Sequence, residues 1–583
     1  MRAAEPVYFA SAEAPERPCF GWIHESPVQG DTAVLICAPL GYEFVCAHRG
    51  MRVLAETLAA AGLSAMRFDY DGVGDSAGSE HDANRVGAWL LSMRAAERVL
   101  RERTGASRII ILAFRVGCAL ALEALPDMPS VAQLVFVAPL SGTTFVRELQ
   151  AFAKLGSPPD ELEWTDEGAQ VAGYWMSRDA LEGLRQLGKR THTAESLRML
   201  VIPRDDIPQD DPRMTAQLSR CGIVPDVRNA NGYEMLMADP HKSEVSATLR
   251  NAVVSFCTEH ASLEEPASRD VVRPIVQTAS ATIGSDDIAV REIVARVGAD
   301  LLGVRTVPKN GVKSGTPLIV MLNAGAVHHI GVNRSHVILA RQLAQRGTSS
   351  IRLDLEGLGD SAVGDDAVAP RLYSTRSLQT LVTTLTALRD ERKIVVIGLC
   401  AGAYSAYHAA LQQQVDGVIL INPQTFSFKE GDTLDVASSR SVYKDAASVR
   451  GSMLQLSSWK RVVQGRVDVA RSVRIVAHQG WLRTRTKGSQ VLTTLGIIQT
   501  TDVERKLTKL ADLQTKTHFI FSKSDPGLDY LDEVLSGRTQ ALIDKEVVEL
   551  SIIEGADHTF TPRGTQDVLL RLITDWLADK FGV

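Results

Sequence analysis

Cys400 is the residue whose surroundings most clearly suggest chemistry. It lies between Gly398 and Gly402, after the apolar run KIVVI and before the helix-compatible segment AYSAYHAALQQQ. A side chain at a sharp turn from strand to helix is held in a strained conformation, and small neighbours let the two elements approach each other. The dipole and free N–H groups of a helix N-terminus favour a thiolate over a thiol. The N–H of Ala401 could donate to an oxyanion, so the pattern predicts a nucleophilic thiolate.

A second oxyanion donor is expected from the loop after an earlier apolar run, PLIVML. The segment NAGA at residues 323–326 supplies small residues with accessible backbone N–H groups, and we assign the donors to Ala324 and Gly325. His328 and His329 follow in the same loop. They could orient a substrate or only fill the rim of its pocket, and the sequence favours neither role.

The sequence contains the same block twice, and only the second copy has a nucleophile at the corresponding position. RFDYDGVGDS recurs as RLDLEGLGDS, which aligns Asp69 with Asp354 at an offset of 285 residues. The same offset places Arg115 opposite Cys400. A guanidinium stays protonated and cannot attack a carbonyl. Because solenoid repeats are only a few tens of residues long, this period indicates a duplicated domain with one half disarmed.

The elements that would position these residues alternate between short apolar runs and helical patterns, as in a parallel α/β sheet. Four runs in each half correspond in order: 33–39, 64–70, 108–114 and 134–139, then 317–322, 349–355, 393–399 and 417–422. A further strand pair is expected from about Ile288. Each half also has a long insertion after its fourth run, at about 141–196 and about 424–512. Such insertions form a cap over the strand ends, where α/β sheets bind ligands.

Length and composition restrict the class of protein. A chain of 583 residues exceeds a single core, and its 45% hydrophobic and 23% charged residues are those of a globular protein. The net charge of −6 argues against a partner that is a nucleic acid or an anionic membrane. No long apolar run and no apolar signal-peptide core occur, so we expect a cytoplasmic protein. The 7 cysteines, an odd number without C-x-x-C pairs, predict reduced thiols.

We expect no metal and no organic cofactor. No nucleotide-binding loop of the G-x-x-x-x-G-K-[ST] type occurs, and the segment DYDGVGDS lacks the spacing of a calcium loop. That segment is more simply the turn after a strand. The oligomeric state cannot be derived from these patterns.

With these motifs, both halves resemble the α/β-hydrolase fold. The second half is similar to members with a cysteine nucleophile: dienelactone hydrolases, polyhydroxyalkanoate synthases and acyl-shuttling acyltransferases. The resemblance implies an α/β protein of two tandem α/β-hydrolase domains, each a mostly parallel, doubly wound sheet with a helical cap insertion. The expected boundaries are a degenerate domain at 1–260, a linker at 261–287 and an active domain at 288–583, whose cap spans about 424–512.

The resemblance also implies a catalytic triad in the order nucleophile, acid, base. It places the acid at Asp525, after the run HFIFS, and the base at His558, in the segment GADHTF ahead of the last helix. Asp529, Asp532 and Asp557 are close in sequence and are alternatives for the acid. The alternative for the thiol itself is a buried packing role.

Two interpretations of the first half are open. It could be only a scaffold, or Arg115 could hold an anionic group such as a carboxylate or a phosphate. His241, with Asp205 or Asp206, is similar to the remnant of a triad.

The chemistry of a cysteine nucleophile suggests the function. Its acyl product is a thioester that keeps much of its acyl-transfer potential, so we predict an acyl-Cys400 intermediate formed from a coenzyme A or carrier-protein thioester, in an acyltransferase or thioesterase. In the second cap, Lys and Arg outnumber Asp and Glu by 15 to 8. This excess would suit coenzyme A or an acidic carrier protein, or would only be a solvated surface. The alternatives are an esterase, peptidase or lactone hydrolase, and a non-catalytic binding protein.

Overall fold

The computed structural model describes residues 4–28, 30–156, 164–188, 197–207, 211–259, 261, 278–284, 288–361, 372–389, 392–428, 500–562 and 564–583. Most of the predicted linker and most of the predicted second cap, with most of its basic residues, lie outside the described residues. The described residues form two large sheets and one small sheet.

The first half is built on an eight-stranded sheet with the order β1-β2-β4-β3-β5-β6-β10-β11. The described strands of this half are β1 (Glu5–Ser11), β2 (Ala14–His24), β3 (Thr32–Cys37), β4 (Ser64–Phe68), β5 (Arg108–Phe114), β6 (Val131–Val137), β7 (Trp164–Thr165), β8 (Gly168–Val171), β9 (Tyr174–Ser177), β10 (Arg198–Ile202) and β11 (Asp226–Val227). The sheet is parallel from β4 to β11, while β1 and β2 are antiparallel. The central strands are buried over their whole length, which explains their continuous apolar runs.

The second half repeats this order in a nine-stranded sheet, β12-β13-β14-β16-β15-β17-β18-β19-β20. Its strands are β12 (Ala279–Ile283), β13 (Val290–Val297), β14 (Leu301–Pro308), β15 (Leu318–Met321), β16 (Ser350–Leu353), β17 (Ile394–Leu399), β18 (Gly417–Ile421), β19 (Lys516–Ser522) and β20 (Glu549–Ile553). From β13 onward each strand has a counterpart in the first sheet, so the duplication extends to the strand order. The α/β fold class predicted from the alternating patterns is therefore confirmed.

Helices cover both sheets. Those of the first half are α1 (Tyr42–Ala60), α2 (Arg85–Thr104), α3 (Gly117–Ala124), α4 (Gly142–Gly156), α5 (Arg178–Gln186), α6 (Pro212–Arg220), α7 (Tyr233–Leu236) and α8 (Ala247–Thr258). Those of the second half are α9 (Ser335–Gln345), α10 (Thr375–Leu388), α11 (Ala401–Gln412), α12 (Asp502–Asp512), α13 (Pro526–Val534), α14 (Thr539–Asp544) and α15 (Thr565–Phe581). None of the helices in the described parts of the chain has the length and apolar character needed to cross a bilayer.

Two segments differ in detail from the expected insertions and linker. The first insertion contains helices α4 and α5, but β7, β8 and β9 also form a small antiparallel sheet within it. Gly168 and Gly173 have φ angles of 156° and 86°, which allow the tight turns between these strands. At the end of the expected linker, β12 pairs with β13 at the edge of the second sheet. Strands of two to five residues are too short to give a clear alternation.

The two sheets meet side by side. Phe20 and Trp22 on β2 pack with Val294, Leu302 and Val304 on β13 and β14, and all five side chains are buried. The antiparallel strands at the edge of each half therefore form the contact, while the parallel strands carry the ends where ligands bind.

Candidate active site

Cys400 occupies a strained turn between β17 and α11. Its φ and ψ angles are 56° and −115°, a conformation that costs a non-glycine residue about 1–3 kcal/mol. A Cβ atom on Gly402 would lie 2.3 Å from the backbone oxygen of Asn323, and one on Gly398 would lie 2.2 Å from the carbonyl carbon of Gly402. Both glycines are therefore needed for the strand, the helix and the neighbouring loop to meet at the cysteine.

Asp525, after β19, and His558, after β20, meet at the ends of the last two strands of the sheet. The Nδ1 atom of His558 lies 2.5 Å from Oδ2 of Asp525, which is buried. The other carboxylate oxygen of Asp525 accepts the N–H of Gly527 at 2.7 Å, at the start of α13. The acid and the base predicted from the motifs are thus brought together, and Nε2 is the ring nitrogen left for the cysteine.

The other candidate acids have different partners. Asp557 accepts hydrogen bonds from the N–H of Thr559 at 3.1 Å and of Thr561 at 2.8 Å, which bends the histidine loop. Asp532 accepts the hydroxyl of Thr539 at 2.9 Å. Asp557 thus shapes the loop that carries His558, and Asp532 joins the two helices α13 and α14. Asp525 is the carboxylate that contacts the ring.

The electrostatics of the pair favour a thiolate and an imidazolium. Burial alone would raise the pKa of the Cys400 thiol, but the charge and hydrogen bond of His558, with the N–H of Ala401, outweigh burial and lower that pKa. Burial would likewise lower the pKa of His558, but the thiolate of Cys400 and the carboxylate of Asp525 raise it to about 10. The arrangement therefore favours the charged pair of thiolate and imidazolium, in which the sulfur is the stronger nucleophile.

The predicted oxyanion loop lies against this turn. Ala401 is the first residue of α11, and its N–H points to the sulfur of Cys400. Ala324 is buried and Gly325 has a φ angle of 58°, in the loop after β15. The close approach of Gly402 to this loop brings its backbone beside the nucleophile.

Two polar side chains that sequence reasoning missed hold the histidine loop. Asn422, directly after β18, donates from Nδ2 to the backbone oxygen of His558 at 2.9 Å and accepts the N–H of Ser522 at 2.9 Å. Gln424 lies 3.4 Å from Nδ1 of His558. The available signal was the polar segment NPQT immediately after a buried strand, at the edge where α/β sheets place functional residues.

An aromatic cluster lies along α11, on the face of the helix that follows Cys400. Tyr404 lies one helical turn after the cysteine, and its ring contacts those of His408 at 4.2 Å and Tyr373 at 5.0 Å between centroids. Tyr373 also stacks on Phe428 at 4.9 Å. The helical spacing of Tyr404 and His408 behind Cys400 was readable in the sequence, whereas their contact with distant rings was not.

His328 and His329 lie between the two halves, not at an open rim. His328 stacks on His48 of the first half with 3.8 Å between ring centroids. His329 contacts Asp354 Oδ2 through Nδ1 at 2.8 Å and Asp75 Oδ2 of the first half through Nε2 at 2.6 Å. All these side chains are buried, so a contact of either histidine with substrate stays a prediction.

The repeated motif makes reciprocal ion pairs across this contact. Arg352 of the second half pairs with Asp75 of the first, and Arg67 of the first pairs with Asp360 of the second. Arg334 adds hydrogen bonds to the backbone oxygens of Gly74 at 2.8 Å and Gly78 at 2.9 Å. The two halves therefore share one buried network of charges.

One group in this network has the residue types of a metal site. Among the described residues, His329, Asp354 and Asp360 have ligand atoms within 4.8 Å of one another. Arg67 pairs with Asp360, and the carboxylates are already neutralised by arginine or histidine partners. Such cationic neighbours oppose a bound cation, so the residues fit an ion-pair network better than a metal.

The first half keeps the turn without the nucleophile. Arg115 has a φ angle of 54°, and a Cβ atom on Gly117 would lie 2.6 Å from the backbone oxygen of Ala38, as at the second turn. The guanidinium of Arg115 pairs with Glu43 at 2.9 Å and with Glu148. An arginine thus occupies the position where the other half has Cys400.

In the first half, the two carboxylates expected as remnants of a triad contact other groups, not His241. Asp206 pairs with Arg204 at 2.6 Å, and Asp205 accepts the N–H of Gly232 at 2.5 Å. His241 lies between α7 and α8 and is partly exposed. These carboxylates therefore support the local chain and the charge network, not a histidine.

Two family models match the chain. One described as the alpha/beta hydrolase family matches residues 319–569, and one described as serine aminopeptidase, S33, matches residues 47–163. No curated protein sequence is significantly similar to the chain. Together with the repeated sheet order, the two matches show that the chain has the α/β-hydrolase fold. A particular relationship to members with a cysteine nucleophile stays a prediction.

Solved structures with related folds are distant in sequence. A putative hydrolase from Agrobacterium vitis is 16% identical, with 44% of this chain and 100% of the other covered and a TM-score of 0.32. Est1E from Butyrivibrio proteoclasticus with bound ferulic acid is 14% identical, with 43% and 98% covered and a TM-score of 0.32. A proline iminopeptidase-related protein from Thermus thermophilus is 19% identical, with 44% and 97% covered and a TM-score of 0.30.

Proposed function

We propose that the chain is an acyl-transfer enzyme whose second half forms a covalent acyl-Cys400 intermediate. The observation that carries the proposal is the contact of His558 with Asp525 at 2.5 Å, in a site where the same imidazole lowers the pKa of the Cys400 thiol. A nucleophile, a base and an orienting acid in this arrangement are the parts that covalent acyl transfer requires.

In the first step, the thiolate of Cys400 attacks the carbonyl carbon of the donor. The carbonyl oxygen becomes an oxyanion, which the N–H of Ala401 and an N–H of the loop containing Ala324 and Gly325 stabilise. The carbonyl forms again as the donor's leaving group departs with its bonding electrons. His558 gives that leaving group its proton and becomes neutral.

In the second step, neutral His558 takes a proton from the acceptor, which is water, a hydroxyl, an amine or a thiol. The acceptor attacks the carbonyl carbon of acyl-Cys400, and the thiolate leaves. Asp525 keeps the imidazole in one tautomer and stabilises its charged form throughout. The enzyme returns to its starting state, with the acyl group on the acceptor.

A thioester donor, on coenzyme A or a carrier protein, fits a cysteine nucleophile best. Attack of Cys400 on a thioester exchanges one thioester for another, so the intermediate keeps enough free energy to acylate a further acceptor. Transfer to water makes the enzyme a thioesterase, and transfer to another acceptor makes it an acyltransferase. The aromatic cluster around Tyr404 supplies an apolar wall for the acyl group.

A hydrolase of esters, peptides or lactones is the second candidate. One matching family model, over the half with Cys400, is described as the alpha/beta hydrolase family and supports this candidate. The model described as a serine aminopeptidase matches the half with Arg115. The same residues would act in the same steps, with an alkoxide or amine as the leaving group and water as the acceptor.

Intact-protein mass spectrometry after brief incubation with acyl-CoA and acyl-carrier thioesters tests the proposal. We expect a mass gain equal to the acyl group that maps to Cys400 and is absent from Cys400→Ala. The matched control is Cys118→Ala, which removes a buried thiol one position past the equivalent turn of the first half. If neither adduct nor thioester consumption occurs across the panel, while esters or lactones are hydrolysed, the second candidate replaces the first.

A further inference from the structure

The first half has a cavity of about 390 Å³ at the carboxyl ends of β5, β6 and β10. Arg115, Leu140 and Arg204, which come shortly after these three strands, all contribute to its wall. Small-molecule sites have volumes of roughly 300–1,000 Å³ and occur at this edge of α/β sheets. The cavity therefore has the position and the size of a ligand site, in the half that lacks a nucleophile.

The inner end of the cavity holds a hydrogen-bond donor without an acceptor. Arg115 is only 2% exposed. Its Nε atom donates to Glu43 at 2.9 Å and its Nη2 atom donates to Glu148, but Nη1 is buried and has no partner in the described part of the chain. Buried N–H groups normally find acceptors, so this donor is unsatisfied, and it belongs to a side chain that lines the cavity, where a ligand oxygen would satisfy it.

Further cations stand at the wall of the cavity. Arg147 and Arg213 both line it and are exposed, and neither guanidinium has an ion pair within the described ranges. Arg204 also lines it and pairs with Glu148 at 3.2 Å. With Arg115, four arginines face two carboxylates, of Glu148 and Asp211. Glu43 and Asp206, behind the wall, pair with Arg115 and Arg204. The unpaired positive charges of the wall are therefore those of Arg147 and Arg213, in a protein whose net charge is −6.

The rest of the wall is apolar. Its buried side chains are Leu140, Met214, Leu218, Ile223 and Val201. Ile207 and Val227 extend the apolar surface to the mouth, where they are 46% and 55% exposed. A large aliphatic side chain exposed beside an apolar cavity marks a surface that a ligand can cover. An apolar wall with unpaired arginines fits a hydrocarbon that carries one anionic group.

We propose that this cavity binds a small amphipathic carboxylate. The carboxylate accepts from Nη1 of Arg115 and faces the charges of Arg147 and Arg213, while the hydrocarbon packs against Met214 and Leu218. A single negative charge suits the site, because Glu148 and Asp211 in the same wall would repel a dianion. Arg115 is then a ligand anchor at the former nucleophile position, and this role is independent of the proposed chemistry at Cys400.

Calorimetric titration of the full chain with decanoate tests the proposal. Cys400→Ala is the background, so that the second half forms no acyl intermediate during the measurement. We expect saturable binding of one decanoate per chain, weakened by added salt because the contact is charge-assisted. Decanol, which has the same hydrocarbon without the charge, should bind at least about tenfold more weakly.

Substitution of two exposed arginines separates an effect on binding from an effect on folding. The double variant Arg147→Gln and Arg213→Gln should raise the dissociation constant for decanoate at least about tenfold while the melting temperature stays unchanged. Arg178→Gln, an exposed arginine on α5 outside the cavity wall, is the matched control and should bind as the parent does. Absence of saturable binding, equal affinity for decanol, or an affinity that the double variant leaves unchanged would overturn the proposal.

Discussion

The charged pair of Cys400 and His558 is the chemical centre of the proposed reaction. Burial opposes both charges, and they exist only because each group stabilises the other and Asp525 supports the histidine. The reactivity of the thiol should therefore depend on residues far from it in sequence, since His558 follows it by more than a hundred positions.

We predict that His558→Ala moves the pH dependence of Cys400 alkylation to higher pH. Alkylation by iodoacetamide requires the thiolate, so its rate rises as the pH passes through the pKa of the cysteine. In the wild type the imidazolium of His558 holds that pKa below its usual value, and the loss of this charge should raise it. Wherever the pKa lies above 7, each further unit of increase lowers the thiolate fraction at neutral pH about tenfold. The rate is measured by mass spectrometry from pH 5 to 10.

The matched control is His408→Ala, which removes a histidine of the neighbouring aromatic cluster. Its pKa is lowered by burial, so the ring is neutral and gives no charge to the thiolate. This variant should keep the alkylation profile of the wild type. If His558→Ala also keeps it, the helix N-terminus, not the histidine, controls the thiol.

Among the elements, the turn between β17 and α11 has little tolerance for change. The backbone oxygen of Asn323 would lie 2.3 Å from a Cβ atom on Gly402, and backbone cannot move away as a flexible side chain can. The same contact, between Gly117 and Ala38, holds the turn of the first half. Both halves thus keep the close packing of this turn, although only the second half has a cysteine there.

We expect Gly402→Ala to lower the free energy of unfolding by about 1–3 kcal/mol, the cost of forcing one extra carbon into a packed site. It should also slow acyl transfer, because the loop with Ala324 and Gly325 must retreat from the nucleophile. Ser405→Ala on the same helix removes one hydrogen bond to the oxygen of Ala401 and should cost about 0.5–1.5 kcal/mol at most without slowing the reaction. Urea denaturation and single-turnover rates measure the two effects. Unchanged stability and rate in Gly402→Ala would mean that the loop is not held against the helix.

The sequence was sufficient to predict the central strands, but it was not sufficient to predict which distant residues contact one another. The strands from β3 to β6 and from β15 to β18 agree with the predicted apolar runs within three residues at each end, because parallel strands buried on both faces are continuously apolar. The contact of Asn422 with His558 joins residues 136 positions apart, and that of His329 with Asp75 joins residues 254 apart. Such pairs depend on how loops and halves pack, which local patterns do not contain.

At the scale of the whole molecule, the two halves are joined by a contact network beside the candidate active site. Asp75 of the first half contacts His329, and Asp354, the other partner of His329, also accepts Nδ2 of Asn323 at 2.7 Å. Asn323 begins the loop that contains the proposed oxyanion donors. The half without a nucleophile therefore contacts the network that positions this loop.

We predict that Asp75→Asn slows acyl transfer about tenfold or more while Cys400 alkylation keeps its wild-type rate. Burial opposes the charge of His329, but the carboxylates of Asp75 and Asp354 raise its pKa well above the usual range, so the substitution leaves a buried cation short of a partner. Loss of one member of such a pair costs about 3–5 kcal/mol of stability. Alkylation does not need an oxyanion site, whereas acyl transfer does.

Tyr8→Phe is the matched control for this prediction. It removes a hydrogen bond of 3.4 Å between the halves, to Glu292, without touching the loop. Stopped-flow acylation and iodoacetamide labelling of both variants give the comparison. Equal losses of acylation and alkylation in Asp75→Asn would indicate general unfolding and would contradict a specific effect on the loop.

The reciprocal ion pairs also determine which positions of the sequence can change independently of one another. Arg67 pairs with Asp360 and Arg352 with Asp75, so each copy of the repeated motif has its partner in the other copy. A substitution at position 67 is therefore compensated at 360 and not at the neighbouring 75. Among descendants of this chain, positions 67 and 360 should change together, as should 75 and 352, because residues in contact co-vary. The two copies of the duplicated motif are in this way constrained to evolve together, although the turns of the two halves have diverged to an arginine and a cysteine.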